Sequence, residues 1–261
     1  MVKLTLIQGD ALKVLPSIPS ESVDLVFTDP PFNISRNVKI TRTRNKEEFC
    51  RTGKWRGKDI DLYFGEWDDF KSENEYWKFT IKWVDECVRV LKSGRIFATF
   101  FDRDKINFLS SYLQRKYGFK CKGYFAYIKR NPAPQARKVK WMNAWEEIGL
   151  WQKPNGKLVY NYQLGQHPDY IILPICQGKE RTPHPTQKPI KLVEPFILYW
   201  TNEGDTVLDP FLGSGTTMVV CRNLKRNCIG IEKNPSYIKI CKERLNWGSS
   251  LSDIEWDFKV V

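Results

Sequence analysis

Seven short apolar runs alternate along this chain with stretches of helical periodicity, and that alternation restricts the fold more than any other feature. The runs Lys3 to Ile7, Val23 to Thr28, Ile96 to Phe101, Tyr124 to Ile128, Tyr170 to Leu173, Thr206 to Asp209 and Cys228 to Ile231 are rich in β-branched and aromatic residues and read as strands. Between them, Trp77, Ile81, Val84, Val88 and Leu91 recur at 4-3-4-3 spacing, which predicts a helix with one core-packing face. Ile106, Leu109 and Leu113 mark a second helix that stops near Gly118. Pro189 opens a third through Leu192, Phe196 and Ile197, and a last helix is expected from Pro235 to Leu245. Strands alternating with helices imply an α/β sheet with helices on both faces.

Two strand ends carry the residues suited to chemistry. Val23 to Thr28 runs directly into Asp29-Pro30-Pro31-Phe32. A buried strand ending there places a carboxylate acceptor and a flat ring beyond the sheet edge, and the prolines remove two N–H donors, leaving carbonyls free for a ligand. A planar amine fits such a site, although a tight Pro turn with a locally capping Asp has the same sequence. The second end is Thr206-Val207-Leu208-Asp209-Pro210-Phe211-Leu212-Gly213-Ser214-Gly215-Thr216-Thr217, where two glycines allow close backbone approach to a ligand. No Lys follows the glycines, so it is not a phosphate-binding P-loop, and the third Gly of the dinucleotide fingerprint is missing. The next strand ends at Glu232, 17 residues past Gly215, about where an acidic residue meets ribose hydroxyls. Adenosine without a pyrophosphate is the implied ligand.

These segments resemble known ones. Asp29-Pro30-Pro31-Phe32 looks like the catalytic motif of DNA amino-methyltransferases, Asp209 to Thr217 like their S-adenosylmethionine loop, and His184-Pro185-Thr186-Gln187-Lys188-Pro189 like the segment preceding that loop. Catalytic motif first and cofactor motif last resembles the β group of that family, with a likeness running from Gly9-Asp10-Ala11-Leu12 to about Leu245. Two departures stand out: the family's last motif aromatic is usually Tyr and here is Phe32, and Ser93-Gly94-Arg95 stands where two glycines are commoner.

The resemblance implies a Rossmann-like methyltransferase sheet with an inserted target-recognition region. Residues 1–130 would form the catalytic half of the core, 131–181 the recognition region and 182–261 the cofactor-binding half. It assigns catalysis to Asp29, Pro30, Pro31 and Phe32. The cofactor falls to Asp10, Ala11, Thr186, Lys188, Asp209, Phe211, Gly213, Ser214, Gly215, Thr216 and Glu232, with Thr186 and Lys188 toward the methionine carboxylate. Asp10 has a second reading as the cap of the first helix, and His184 as a capping or packing residue. The implied reaction moves a methyl group from S-adenosylmethionine to adenine N6 of double-stranded DNA by base flipping, leaving S-adenosylhomocysteine and using no metal. Cytosine N4 is the runner-up target, and a non-catalytic DNA-binding module the third reading. A cognate restriction endonuclease and a homodimer are the further partners open to it.

Composition agrees. At 261 residues, 41% apolar and 14% aromatic, the chain can bury one full core with an inserted module. The turn-rich stretch with Pro132, Pro134, Pro154, Asn155-Gly156, Pro168 and Pro174 is that module; Trp145, Ile148, Leu150 and Trp151 within it look like packing residues, and Glu146 and Glu147 read as structural. The net charge of +12 is concentrated: residues 35–60 carry +6 and residues 114–140 carry +9. Arg36, Arg42, Arg44, Lys54 and Arg56 in the first segment, and Arg137, Lys138 and Lys140 in the second, suit a phosphate track, or alternatively a solvated basic face. No run of 18 apolar residues and no signal-like start are seen, so neither a membrane span nor secretion is expected. Seven cysteines without a C-x-x-C pair, and only His167 and His184, point to free thiols in the cytoplasm and away from disulfides or zinc.

Overall fold

The computed structural model describes residues 1–33, 39–40, 60–61, 68–133, 141–249 and 253–261. Its strands are β1 (Val2–Gln8), β2 (Val23–Thr28), β3 (Lys39–Ile40), β4 (Ile60–Asp61), β5 (Leu91–Phe101), β6 (Lys120–Lys129), β7 (Trp145–Gln152), β8 (Tyr170–Leu173), β9 (Thr206–Asp209), β10 (Asn227–Glu232) and β11 (Ile254–Val260). The α-helices are α1 (Ala11–Val14), α2 (Glu73–Val90), α3 (Ile106–Tyr117), α4 (Ile190–Trp200), α5 (Thr216–Asn223) and α6 (Pro235–Leu245). Nine strands form one sheet in the order β11-β1-β10-β9-β2-β5-β7-β6-β8, and β3 pairs with β4 as a short antiparallel ribbon. Every pairing in the large sheet is parallel except those of β7 with β5 and β6.

Helices cover both faces, as the alternation predicts. Leu192, Phe196, Val219 and Ile238 of α4, α5 and α6 pack on one face with Leu25 and Phe27, while Val14, Trp83, Val88 and Leu109 of α1, α2 and α3 pack on the other with Val26 and Phe97. β2 is buried along its whole length between two helix layers, which explains its apolar Val23, Leu25, Val26 and Phe27, while the buried Asp24 is paired with Lys92 and Arg95. α3 stops where expected, at Gly118 in the left-handed conformation with φ 70°.

Three expectations change. The buried stripe of α2 is Tyr76, Thr80, Trp83, Val84, Cys87 and Val88, with Trp77 and Ile81 only half-buried, and Leu91 already begins β5. The aromatic ring of Trp77 instead lies 4.2 Å from that of Phe108, so an aromatic pair at the flank diverts it from the core. Within the turn-rich stretch 131–181, β8 forms where a strand is expected and Ile148 and Trp151 are buried as packing residues, but they lie on β7, a strand of the main sheet that the sequence reading does not include. β11 was not anticipated at all, although its Ile254, Trp256, Phe258 and Val260 alternate with charged residues as an edge strand should. Among the described residues no helix is long and apolar enough to cross a membrane.

Candidate active site

The sheet order sets β2 beside β9, so the two sequence motifs, far apart in the chain, open side by side at the carboxyl ends of adjacent parallel strands. Asp209 joins them. Its Oδ1 accepts from the Thr28 hydroxyl at 2.8 Å and the Phe211 N–H at 3.2 Å, and its Oδ2 from the Thr217 hydroxyl at 2.7 Å. Burial raises the Asp209 carboxyl to about 6 despite these donors. The Phe211 ring leaves the loop to pack edge-on against Trp83, 5.4 Å away.

The glycine loop is shaped from three sides. Gly213 and Gly215 have φ 54° and 82°, and a Cβ on either would strike His184 Nε2 at 2.9 Å or Cys241 Sγ at 2.4 Å. Arg244 of α6 donates to the Ser214 carbonyl at 2.8 Å and to Thr216 Oγ1 at 3.0 Å, while the Thr216 hydroxyl donates to the Lys188 carbonyl at 3.0 Å. That last bond fastens the His184 to Pro189 segment to the loop. Gln187 braces the same segment by accepting from Thr182 N–H and hydroxyl, both at 2.8 Å, and donating to the Glu180 carbonyl. Thr186 is half-buried within it. His184 is buried against the ring of Tyr237, and that burial lowers its imidazole to about 4.

At the neighbouring strand ends, Glu232 accepts from Gly213 N–H at 2.9 Å and Asn234 N–H at 2.6 Å; burial raises it to about 7. Asp10 caps α1 by accepting from Leu12 N–H at 3.0 Å, leads into the buried Ala11, and pairs with Lys233 at 3.2 Å. Acidic residues thus stand at the carboxyl ends of the neighbouring parallel strands β1, β10, β9 and β2, with both oxygens of Asp209 already accepting hydrogen bonds from within the chain.

Asp29 is half-buried with Oδ2 2.7 Å from Lys188 Nζ, and the same ammonium stands 3.0 Å from Glu146 Oε2. Lys188, expected toward the cofactor carboxylate, therefore spends its charge on two carboxylates of the chain itself. Pro30 and Pro31 are buried. The Phe32 ring is half-buried, edge-on to Phe101 at 6.5 Å, and its backbone is fixed by the Asp68 carboxylate, which accepts from Phe32 and Asn33 N–H at 2.7 Å, and by Lys105, which donates to the Phe32 carbonyl at 3.0 Å. Sequence reasoning missed Glu146, Asp68, Lys105 and Arg244. Gln187 was missed as well, although its place between His184 and Pro189 was a signal. Arg36, Arg42, Arg44, Lys54, Arg56, Arg137, Lys138 and Lys140 lie outside the described residues. No cluster of His, Cys, Asp and Glu suited to a metal occurs among the described residues.

Known proteins share the sequence family and the fold. The family model described as DNA methylase matches residues 23–243. The chain is 35% identical to the Type II methyltransferase M.HinfI of Haemophilus influenzae over 92% of its own length and 68% of that protein. It is 33% identical to M2.LlaDCHI of Lactococcus lactis subsp. cremoris, over 94% of this chain and 90% of that one. Among solved structures, an M1.HpyAVI–SAM complex superposes with a TM-score of 0.70 at 26% identity, covering 93% of this chain and 99% of that one. The cytosine-N4-specific PvuII DNA methyltransferase shares the fold with a TM-score of 0.71 at 20% identity, over 96% and 90% of the two chains. A matched span running from the start of β2 into α6, together with the paired motifs at the ends of β2 and β9, places this chain in the N6/N4 DNA methylase family.

Proposed function

We propose that this methylase modifies the exocyclic N6 of adenine in double-stranded DNA. The observation that carries the reading is Asp29, at the head of the motif and held at the open end of β2; within the resemblance, Asp rather than Ser before the two prolines favours adenine. S-adenosylmethionine, when bound at these strand ends, would supply an electrophilic methyl group. An exocyclic NH2 is a poor nucleophile because its lone pair is delocalised into the ring. Asp29 accepts one of its N–H bonds and the Pro30 carbonyl the other, which turns the lone pair outward for in-line displacement; the N–CH3 bond forms as the S–CH3 bond breaks, and the amine loses one proton during or after attack. The target is paired inside a duplex, so it must leave the stack, and Phe32 offers it a new face, worth about 1–3 kcal/mol. The basic segments 35–60 and 114–140, apart from Lys116 and Lys129, which Asp85 and Glu146 hold, are proposed to track phosphates, and target recognition is assigned to the parts of 131–181 outside β7 and β8.

Nucleoside mass spectrometry of DNA incubated with labelled S-adenosylmethionine tests this. N6-methyladenine with no modified cytosine is expected, and Asp29→Ala should bind cofactor yet lose turnover by about 10² or more. N4-methylcytosine alone would overturn the adenine assignment, and no labelled base at all would leave a binding module.

A further inference from the structure

The side chain facing Asp29 belongs to a longer series. Lys129 at the end of β6 lies 2.6 Å from Glu146 Oε1, Glu146 Oε2 lies 3.0 Å from Lys188 Nζ, and Lys188 Nζ lies 2.7 Å from Asp29 Oδ2. The four side chains are only 12–25% exposed. Their charges alternate and cancel, and the Phe100 ring lies 4.7 Å from the Lys188 ammonium, shielding it. One ammonium is therefore divided between two carboxylates.

That division matters for the reaction proposed above, on which this inference rests. A Lys188 paired to Asp29 alone would grip it as a buried ion pair, and the carboxylate would be a weak acceptor for an incoming amine. With no cation, a half-buried Asp29 beside another carboxylate would tend to hold a proton and lose its acceptor character. We infer that Glu146 is a positioning residue for methyl transfer: by taking part of the Lys188 ammonium, it leaves Asp29 free to accept from the target amine, while the shared ammonium still favours the Asp29 carboxylate.

The surrounding groups act on Asp29 in opposite directions, and burial, the largest of them, leaves its carboxyl raised above the ordinary value. Burial raises the Asp29 carboxyl, Lys188 and Lys129 draw it down, and Glu146 pushes it up, while Asp209 faces it from β9. Burial opposes the charge of Glu146 itself, but Lys188 and Lys129 hold it down to about 2, so it stays anionic across the working range. Tyr127, also near Glu146, is neutral and donates its hydroxyl to the Pro174 carbonyl.

The test is the titration of Asp29 in the full chain, followed by 13C NMR of labelled aspartate and assigned by the signal lost in Asp29→Asn, which separates it from Asp209. Glu146→Gln should lower the Asp29 midpoint, because Lys188 then serves it alone. Lys188→Met and Lys129→Met should raise it, the former by about one unit or more. Lys188→Arg should stay near wild type. The acid limb of the single-turnover methylation rate should move with each midpoint, and Glu146→Gln should turn over more slowly at neutral pH with cofactor affinity retained. A purely structural Glu146 would lower the melting temperature and leave the midpoint where it was, and that result overturns the inference. If Lys188→Met does not fold, the opposite shifts of Glu146→Gln and Lys129→Met decide; a shift in one direction for both overturns it. The NMR midpoints report whether or not the protein methylates DNA, so a failure of the functional reading appears separately, as a wild-type chain without labelled product.

Discussion

The Thr28 hydroxyl donates to Asp209 across 181 residues of sequence, a 2.8 Å buried bond that locks the end of β2 to the end of β9. Thr28→Val removes the donor at nearly constant volume, and Thr217→Val does the same for the other oxygen. A buried acceptor left unsatisfied costs about 1–3 kcal/mol. Since Oδ1 also accepts from Phe211 N–H, Thr28→Val should fall at the low end of that range and Thr217→Val at the high end, as read by urea denaturation.

Gly215 answers two demands at once, a φ of 82° and the closeness of Cys241. Gly215→Ala should destabilise through both. Adding Cys241→Ala relieves the contact with Sγ but not the backbone, so the double variant should recover part of the loss and retain about 1–2 kcal/mol relative to Cys241→Ala. A double-mutant cycle measures the difference.

His184 gives a pH dependence with a definite sign. Its imidazole titrates near 6.5 in the unfolded chain and about 4 in the folded one, so the unfolded state binds the proton more readily. The stability associated with neutral His184 is complete above pH 6.5 and is lost as pH falls from there toward 4. The lost part is about 3 kcal/mol, at 1.36 kcal/mol per unit. His184→Gln should show a correspondingly shallower decline of melting temperature over that window than the wild type.

Phe32 departs from the commoner Tyr and keeps only the ring face. Phe32→Tyr should be close to silent. Phe32→Ala should weaken binding of DNA carrying an unpaired target base by about 1–3 kcal/mol and slow turnover, with cofactor affinity unchanged. If the ring serves only the packing against Phe101, the variant would instead lose folding stability and methylate normally once folded.

The strand ends were legible because each carries its chemistry in consecutive residues: Asp29 follows β2, and Glu232 closes β10, where a ligand meets a doubly wound sheet. The glycine loop was legible for the same reason. Glu146 was not, because its partner Lys188 comes from a segment 42 residues later and the pair meets only after β7 has inserted antiparallel between β5 and β6. Pro- and Gly-rich flanks disguised β7 as part of a loop region, and two adjacent glutamates broke its apolar pattern. Arg244 acts through backbone and hydroxyl groups of a loop folded against it, a relation that leaves no spacing to read.

The neighbourhood of β2 and β9 also governs when the site can form. β2 is the second strand made, yet its flank opposite β5 stays open until β9 arrives, and the donor at its tip has no carboxylate until Asp209 is in place. Pairings this distant carry a large loop-closure cost and come late in folding. During synthesis the first two strands must wait, with apolar surface uncovered, for more than two-thirds of the chain to leave the ribosome, so nascent chains halted before β9 are expected to depend on chaperones and to sample no active arrangement.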